Sequence, residues 1–173
     1  MNKEKLRKLM LKKRSELTKS VKDTYDAYIY KEVIKYIKRY NSIGIFVSFN
    51  SEINTRNIIQ YCFDHEIKVS VPKITSNKMI FVTINSWSDL KPGIWGILEP
   101  YSDKECLDID LCITPLLAFN SKLNRLGYGG GYYDNYFSSN NVFKLGIAYG
   151  FQYQDFDIFE KFDIKLDEII KAI

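Results

Sequence analysis

The segment RLGYGGGYYD, residues 125–134, contains residue types that are suited to binding phosphate. Four of the nine glycines of the chain lie in it, and glycine allows a backbone to approach a ligand closely or to adopt positive φ. Free N–H groups at the start of a predicted helix attract anions, and Arg125 adds a positive charge beside them. No lysine follows the glycines, as the G-x-x-x-x-G-K-S/T loop requires, and Tyr132 replaces the last glycine of G-x-G-x-x-G. The segment therefore predicts an anion site of neither named type.

Asp134 and the two tyrosines before it each allow two interpretations. The Asp134 carboxylate could complement the dipole of the helix that is predicted to begin here. It could instead bind Mg²⁺, which favours one or two carboxylates together with phosphate oxygens. Tyr132 and Tyr133 could be core aromatics, or at least one of them could stack on a flat ligand. The residues alone leave these alternatives open.

Hydrophobic periodicity indicates the elements that must position this segment. Apolar residues at helical spacing predict helices, and short β-branched or aromatic runs predict strands. The predicted helices cover 2–17, a stretch from Thr18 or Ser20 to about Arg39, 55–64 and about 131–139. The predicted strands cover 42–49, 67–72, 79–84, 107–115 and 143–150, with Pro72 and Pro115 as strand ends, 85–105 as a loop and 167–173 as an edge strand or tail. Strands that alternate with helices predict one α/β domain, residues 1–173, with a mainly parallel sheet.

Composition and charge exclude several classes of protein. The chain has 173 residues, 46% of them hydrophobic, and a net charge of +4, which describes a globular protein with a mild attraction for anions. The single histidine, His65, excludes histidine-rich zinc sites and is predicted to lie on a surface turn. Cys62, Cys106 and Cys112 lack C-x-x-C spacing and are predicted to be core thiols in a reducing compartment. Since neither a secretory signal nor a membrane segment is indicated, we expect a cytoplasmic protein.

The longer segment PLLAFNSKLNRLGYGGGYYD, residues 115–134, resembles the signature of the 5-formyltetrahydrofolate cyclo-ligases, also called 5,10-methenyltetrahydrofolate synthetases. The resemblance extends over nearly the whole chain. It includes, in order, the K-x-x-L-R pattern of Lys3, Leu6 and Arg7 with Arg14 one helical repeat further on, IFVSFNSEINT (45–55), VPK (71–73), GIWGILEP (93–100) and FDIKLDEII (162–170). The chain departs from the family pattern at Asn120, Leu123, Asn135, Ile158 and Phe162, which affects the expected loop geometry and affinity more than the expected function.

The resemblance implies a three-layer α/β/α sandwich and a reaction that depends on ATP and Mg²⁺. ATP would phosphorylate the formyl oxygen of 5-formyltetrahydrofolate, the N10 amine would attack the formyl carbon, and loss of phosphate would leave 5,10-methenyltetrahydrofolate. Such chemistry needs positioning and charge neutralisation rather than a histidine or cysteine nucleophile. The implied partners are ATP and the folate, and a polyglutamate tail could be attracted by Lys12 and Lys13. We expect a monomer without a nucleic-acid or membrane partner.

The resemblance also implies roles for individual residues. The residues implied to bind ATP are Lys3, Glu4, Lys5, Leu6, Arg7, Arg125, Leu126, Gly127, Tyr128, Gly129, Gly130, Gly131, Tyr132 and Tyr133. The residues implied to bind the folate are Val47, Glu52, Tyr128, Gly129, Gly130, Gly131 and Tyr132, with Lys73, Trp95 and Glu99 as further candidates for the pocket wall. The implied catalytic residues are Arg125 and Tyr132, and the implied magnesium ligands are Asp134 and Asp167.

Other roles and other functions remain open at this point. Lys3 and Arg7 belong to a basic run that could be a solvated helix face, Val47 could pack in a strand, and Asp167 could form a surface ion pair. A transferase of the CoA type on a similar scaffold would need a glutamate nucleophile near the glycine-rich loop, where the sequence shows none. An RNA-binding module would use the basic helix and exposed aromatics, but the chain has no recognised RNA-binding signature.

Overall fold

A computed structural model describes residues 1–155, 157–158 and 160–173 of the chain. The helices are α1 (Lys3–Ser15), α2 (Lys19–Ile37), α3 (Arg56–Asp64) and α4 (Tyr132–Ser139). The strands are β1 (Ser42–Ile45), β2 (Lys68–Thr75), β3 (Lys78–Ile84), β4 (Leu90–Pro92), β5 (Leu98–Pro100), β6 (Leu111–Thr114), β7 (Ala118–Phe119), β8 (Arg125–Leu126), β9 (Phe143–Tyr149) and β10 (Glu168–Ala172). Within these ranges, no helix combines the length and the apolar composition that crossing a membrane requires.

The central sheet has six strands in the order β10-β9-β6-β1-β2-β3. Every neighbouring pair is parallel except β2 and β3, which form an antiparallel hairpin at one edge. Alternate residues of β6 face opposite sides of the sheet, so that Leu111 and Ile113 pack with α2 and α3 while Cys112 packs with α4. The predicted three-layer α/β/α sandwich with a mainly parallel sheet is confirmed.

The prediction that Pro72 ends its strand is wrong, because β2 continues to Thr75. Strand β1 pairs with β2 only as far as Ser70. Beyond Ser70, the side of β2 that faces away from β3 has no neighbouring strand. Pro72, which has no N–H, therefore removes no hydrogen bond of the sheet there. The loop predicted at 85–105 contains the antiparallel hairpin of β4 and β5. Strands β1 and β6 are also shorter than predicted. The other predicted elements, and the position of His65 on the turn after α3, are confirmed to within a residue or two.

Helix α1 is fixed by its apolar side to the segment that leads into the glycines. Asn2 caps the helix by accepting a hydrogen bond from the Lys5 N–H at 2.9 Å. Leu6 and Met10, one turn apart, pack in one buried cluster with Leu126 of β8. Because residues three or four apart share one side of a helix, this contact leaves a different side of α1 free to present basic residues beside the glycines.

The three cysteines are buried, as predicted. Burial raises the pKa of the Cys62 and Cys112 thiols to about 12, so both stay protonated at neutral pH. These two cysteines are therefore structural rather than nucleophilic.

Candidate active site

A large cavity lies at the carboxyl ends of the parallel strands β1 and β6, with Val47 and Pro115 in its wall. Its volume is about 1470 Å³, whereas a pocket for one small ligand usually measures about 300–1,000 Å³. Ligands of open α/β sheets bind at this edge. The wall is formed by α1, the loop after β1, the β4–β5 hairpin, residues 125–134 (the glycine segment) and the chain around Asp163. The cavity therefore has the position and the size for two co-substrates.

The backbone of the glycine segment is approached closely by side chains. Gly129 has φ +107°, a conformation that residues with a Cβ rarely adopt. A Cβ atom on Gly129 would lie 3.3 Å from the guanidinium carbon of Arg7, and one on Gly130 would lie 2.7 Å from the Tyr132 ring. Arg7 Nε also donates to the Gly127 carbonyl at 2.8 Å. The missing side chains thus allow a cation and an aromatic ring to lie against the loop.

Helix α4 begins directly after Gly131, which has a left-handed conformation with φ 71°. Gly131, Tyr132, Tyr133 and Asp134 all line the cavity, so the N-terminal turn of α4 borders it. The unpaired N–H groups and the partial positive charge of a helix N-terminus favour an anion at this place. Tyr132 and Tyr133 also pack against the core cluster on the α4 side of the sheet, so both tyrosines combine core contacts with a position in the cavity wall.

Arg125 is a buried cation in the cavity wall, with 8% of its surface exposed. Its Nη2 lies 3.5 Å from Asp134 Oδ1, and its guanidinium carbon lies 5.4 Å from the centre of the Tyr133 ring. In the ranges that the structure describes, its Nε is the one buried side-chain nitrogen or oxygen without a hydrogen-bond partner. Burial lowers the pKa of Arg125, and Asp134 opposes this shift. Because buried donors are normally paired, this guanidinium is suited to an anionic ligand.

Two carboxylates line the cavity near the N-terminus of α4. Asp134 Oδ1 accepts a hydrogen bond from the Ile164 N–H at 3.1 Å, which brings the neighbouring residue Asp163 to the same part of the wall. Asp163 Oδ2 accepts from Lys3 Nζ at 2.8 Å. Among the described residues, no three His, Cys, Asp or Glu side chains are grouped to hold a metal ion. Mg²⁺ that is held by one or two carboxylates and by phosphate oxygens fits this arrangement.

Glu52 lies in the loop after β1 and is connected to the glycine segment. Its Oε1 accepts from the Tyr128 hydroxyl at 2.7 Å, and its Oε2 accepts from the Phe49 N–H at 2.8 Å. The Tyr128 hydroxyl in turn accepts from Arg14 Nη2 at 2.8 Å. Burial raises the pKa of Glu52, and the hydrogen bonds from Tyr128 and Phe49 oppose this shift. The Glu52 carboxylate and the glycine segment are therefore joined by one chain of hydrogen bonds.

The β4–β5 hairpin supplies Trp95 and Glu99 to the wall, as the resemblance implies. Trp95 is 83% exposed and has φ 57°, so its indole lies at the mouth of the cavity rather than in the core. Ile94 and Ile97 beside it also line the cavity, so this hairpin is a largely apolar wall.

Five residues that the resemblance implies for the site do not line the cavity: Glu4, Lys5, Leu6, Lys73 and Asp167. Leu6 is 1% exposed and belongs to the core, Glu4 pairs with Lys8 at 3.0 Å on the exposed side of α1, and Lys73 pairs with Asp103 at 2.8 Å. Consecutive helix residues point in different directions, so from the first turns of α1 only Lys3 and Arg7, four residues apart, reach the cavity. The other implied residues line it.

Asp167 lies far from the position that a partner of Asp134 would need. It directly precedes β10, at the amino ends of the parallel strands, whereas the cavity is at their carboxyl ends. Its Oδ2 accepts from the Lys144 N–H at 2.7 Å and lies 3.1 Å from Lys144 Nζ. The structure therefore does not bring the two implied magnesium ligands together, and Asp163 is the carboxylate near Asp134.

Arg14 and Asp163 line the cavity, although the resemblance implied no site role for either residue. Arg14 follows Arg7 by seven residues, and this spacing places both on one side of α1. The spacing could therefore have indicated that Arg14 also faces the cavity. Asp163 carries no such signal, because its approach to Asp134 depends on how the chain after β9 folds back over the sheet.

Together, the fold and the site define an α/β/α protein with a glycine-rich loop, a buried arginine and room for two ligands at the carboxyl edge of its sheet. The model of the 5-formyltetrahydrofolate cyclo-ligase family matches residues 1–172. The chain therefore belongs to this family, and the resemblance of its motifs is confirmed.

Individual relatives agree with this assignment. The chain is 32% identical to a 5-formyltetrahydrofolate cyclo-ligase of Mycoplasma genitalium over 98% of each protein. Among solved structures, a 5,10-methenyltetrahydrofolate synthetase of Aquifex aeolicus has a TM-score of 0.88 at 25% identity, over 99% of this chain and 90% of that chain. A 5,10-methenyltetrahydrofolate synthetase of Mycoplasma pneumoniae has a TM-score of 0.79 at 27% identity, over 98% of both chains. The prediction of an enzyme of this family is confirmed.

Proposed function

We propose that the protein converts 5-formyltetrahydrofolate into 5,10-methenyltetrahydrofolate and consumes one ATP for each turnover. The position of Arg125 is the observation that supports the dependence of this reaction on ATP. Its guanidinium is buried beside the glycine segment, its Nε lacks a partner within the described ranges, and the cavity of about 1470 Å³ leaves room for a folate next to a nucleotide.

The proposed reaction has two steps. The formyl oxygen, which is a poor leaving group, attacks the γ-phosphorus of ATP, so that an O–P bond forms and ADP leaves. The N10 amine then attacks the activated formyl carbon and loses a proton. The C–O bond breaks, phosphate departs with the oxygen, and the 5,10-methenyl ring remains. Both steps depend on placing the reactants together and on neutralising the charge of the phosphoryl group.

The residues of the cavity match these tasks. Arg125 and the N–H groups of the glycine segment are proposed to neutralise the transferred phosphoryl group, and Lys3 and Arg7 are proposed to contact the other phosphates. Tyr132, whose ring lies against Gly130, is proposed to contact the formyl group. The Arg125 side chain is buried and lies near the Tyr133 and Phe137 rings, so this part of the site would offer water little access.

Asp134 would hold Mg²⁺, with Asp163 as the nearest candidate for a second carboxylate. When bound, the ion would supply positive charge to the phosphate oxygens. Arg125 and the Ile164 N–H both contact Oδ1 of Asp134, and these contacts fix the orientation of the carboxylate.

Glu52 is proposed to accept hydrogen bonds from the amino and ring N–H groups of the pterin, with Val47 beside it. A carboxylate offers about four lone-pair positions. Tyr128 and Phe49 use one position on each oxygen of Glu52, so two donors of a ligand can still be accommodated.

The absorbance of the methenyl product tests this proposal. Purified protein is mixed with 5-formyltetrahydrofolate and Mg²⁺, with and without ATP, and ADP is measured in parallel. We expect product only when ATP is present, in amounts equal to the ADP formed. The proposal is contradicted if protein with a normal circular-dichroism spectrum forms no product, or forms it equally fast without ATP.

The end of the cavity next to α1 is basic, and we propose that it attracts the polyglutamate tail of the folate. Lys12 lines the cavity, whereas its neighbour Lys13 is exposed outside it, so the two provide a matched pair. We expect Lys12→Glu to weaken the preference for polyglutamylated over monoglutamylated substrate by about three- to fivefold, since an exposed charge contact contributes up to ~1 kcal/mol. Lys13→Glu is expected to have a smaller effect. Equal effects of the two substitutions on the KM ratio would contradict this location.

A further inference from the structure

Arg14, Tyr128 and Glu52 form a chain of hydrogen bonds across the cavity, and the reaction described above gives Arg14 no task. Arg14 is 5% exposed and lines the cavity. Its Nε donates to Ser51 Oγ at 3.0 Å and its Nη2 donates to the Tyr128 hydroxyl at 2.8 Å. The same hydroxyl donates to Glu52 Oε1 at 2.7 Å. A tyrosine hydroxyl has one proton to donate and can accept in return, so the chain has a defined direction, from the cation to the carboxylate.

This chain connects two parts of the cavity that bind different ligands in the proposed function. Tyr128 lies between Gly127 and Gly129, in the segment that is proposed to bind phosphates. Glu52 lies in the loop after β1 and is proposed to bind the pterin. The Tyr128 phenol connects the two parts, because its single hydroxyl is hydrogen-bonded to both Arg14 and Glu52. Any shift of the glycine segment therefore moves the group that orients Glu52.

We propose, on the basis of the function proposed above, that the Arg14–Tyr128–Glu52 chain couples the nucleotide and folate subsites. A bound nucleotide orders the glycine segment, and the Tyr128 hydroxyl then holds the Glu52 carboxylate in the orientation that receives the pterin donors. Arg14 is a positioning residue, since it acts through Tyr128. Because coupling between two binding equilibria is reciprocal, the folate must strengthen nucleotide binding by the same factor.

The local geometry explains why a hydroxyl is required. Tyr128 is 49% exposed, so its ring is not held by the core, and its position depends on the two hydrogen bonds and on the Arg14 guanidinium 5.8 Å from its ring centre. A phenylalanine would keep the ring and lose both hydrogen bonds. The Phe49 N–H would still hold Oε2 of Glu52, whereas Oε1 would lose its hydrogen bond from Tyr128, so the carboxylate would be oriented less tightly. Tyr128→Phe therefore removes the link without removing the carboxylate.

Calorimetric titration with 5-formyltetrahydrofolate, with and without Mg²⁺ and a non-hydrolysable ATP analogue, tests the coupling. In the wild-type protein we expect the analogue to tighten folate binding by about fivefold or more, the lower limit of typical coupling between sites. In Tyr128→Phe we expect this factor to fall to less than about twofold. Arg14→Met is expected to behave in the same way, and Arg14→Lys, which keeps a donor and the charge, is expected to restore part of the factor.

Tyr28→Phe is the matched control, because Tyr28 is also 49% exposed but lies on α2 outside the cavity. It is expected to keep the wild-type coupling factor. Equal factors in the wild-type protein and in Tyr128→Phe, with both ligands binding, would overturn the coupling alone. A wild-type protein that binds neither ligand would overturn the proposed function and the coupling with it. A merely structural role of Arg14 would lower both affinities and leave the factor unchanged, and this result would also overturn the proposal.

Discussion

Replacing Arg125 with methionine is expected to lower kcat/KM for the cyclisation by about a thousandfold, because the transferred phosphoryl group loses a buried cation. The guanidinium borders the glycine segment, and the described chain offers its Nε no hydrogen-bond partner. In the proposed reaction it is therefore available to the phosphoryl oxygens on which charge develops. Methionine fills a similar length of cavity wall without the charge. The rate of ATP-dependent methenyl formation measures the loss.

The same substitution is expected to leave the free energy of unfolding unchanged or to raise it. Burial lowers the pKa of Arg125, which means that its charged form is disfavoured in this position, and Asp134 at 3.5 Å compensates only in part. Asp134 keeps its hydrogen bond from the Ile164 N–H when the arginine is removed. Urea unfolding of both proteins measures this difference. A loss of activity without a loss of stability would separate a role in catalysis from a role in folding.

Arg39→Met is the matched control for Arg125→Met. The Arg39 guanidinium carbon lies 4.5 Å from the centre of the Tyr36 ring, as that of Arg125 lies 5.4 Å from Tyr133, but Arg39 is exposed and outside the cavity. We expect its activity to stay within about twofold of the wild type. If Arg125→Met kept more than about a tenth of the wild-type kcat/KM, a difference below about 1.4 kcal/mol, the role of Arg125 would be wrong.

The glycine segment could be recognised in the sequence because its properties are local. Positive φ at Gly129 and Gly131 follows from the lack of a Cβ, and the start of α4 follows from the residues that come directly after. The start of α2 could also be predicted from neighbouring residues, because Thr18 caps that helix by accepting a hydrogen bond from the Val21 N–H. The layered architecture could be predicted from the alternation of strands and helices, because each element must bury one face against another.

The parts of the site that depend on distant contacts could not be predicted. Asp163 and Asp167 are four residues apart in the sequence, and both follow the last helix. Asp163 reaches the cavity through Lys3 and the Ile164–Asp134 contact, whereas Asp167 is held at the amino end of β9 by Lys144. The position of Pro72 within β2 could not be predicted for the same reason, because β2 accommodates a proline only where its pairing with β1 has ended. Residue type alone does not determine these positions.

The aspartates that the resemblance placed in one metal site are expected to differ sharply in their effect on magnesium dependence. Asp134→Asn is expected to lower kcat by about a hundredfold and to raise the Mg²⁺ concentration for half-maximal rate by about tenfold or more, because a neutral amide is a poor ligand for this ion. Asparagine keeps the Oδ1 atom that accepts from the Ile164 N–H, so the wall of the cavity is retained. Titration of Mg²⁺ at saturating ATP measures both quantities.

Asp167→Asn is the matched control, since it makes the same chemical change at the opposite edge of the sheet. Its side chain contacts Lys144 rather than the cavity, so we expect kcat and the Mg²⁺ requirement to stay within about twofold of the wild type. Asp163→Asn, tested beside them, is expected to raise the Mg²⁺ requirement, because Asp163 lines the cavity near Asp134. If Asp167→Asn matched the loss seen in Asp134→Asn, the magnesium site proposed here would be wrong, because no ion at the carboxyl ends of β1 and β6 can contact a residue at the amino end of β10.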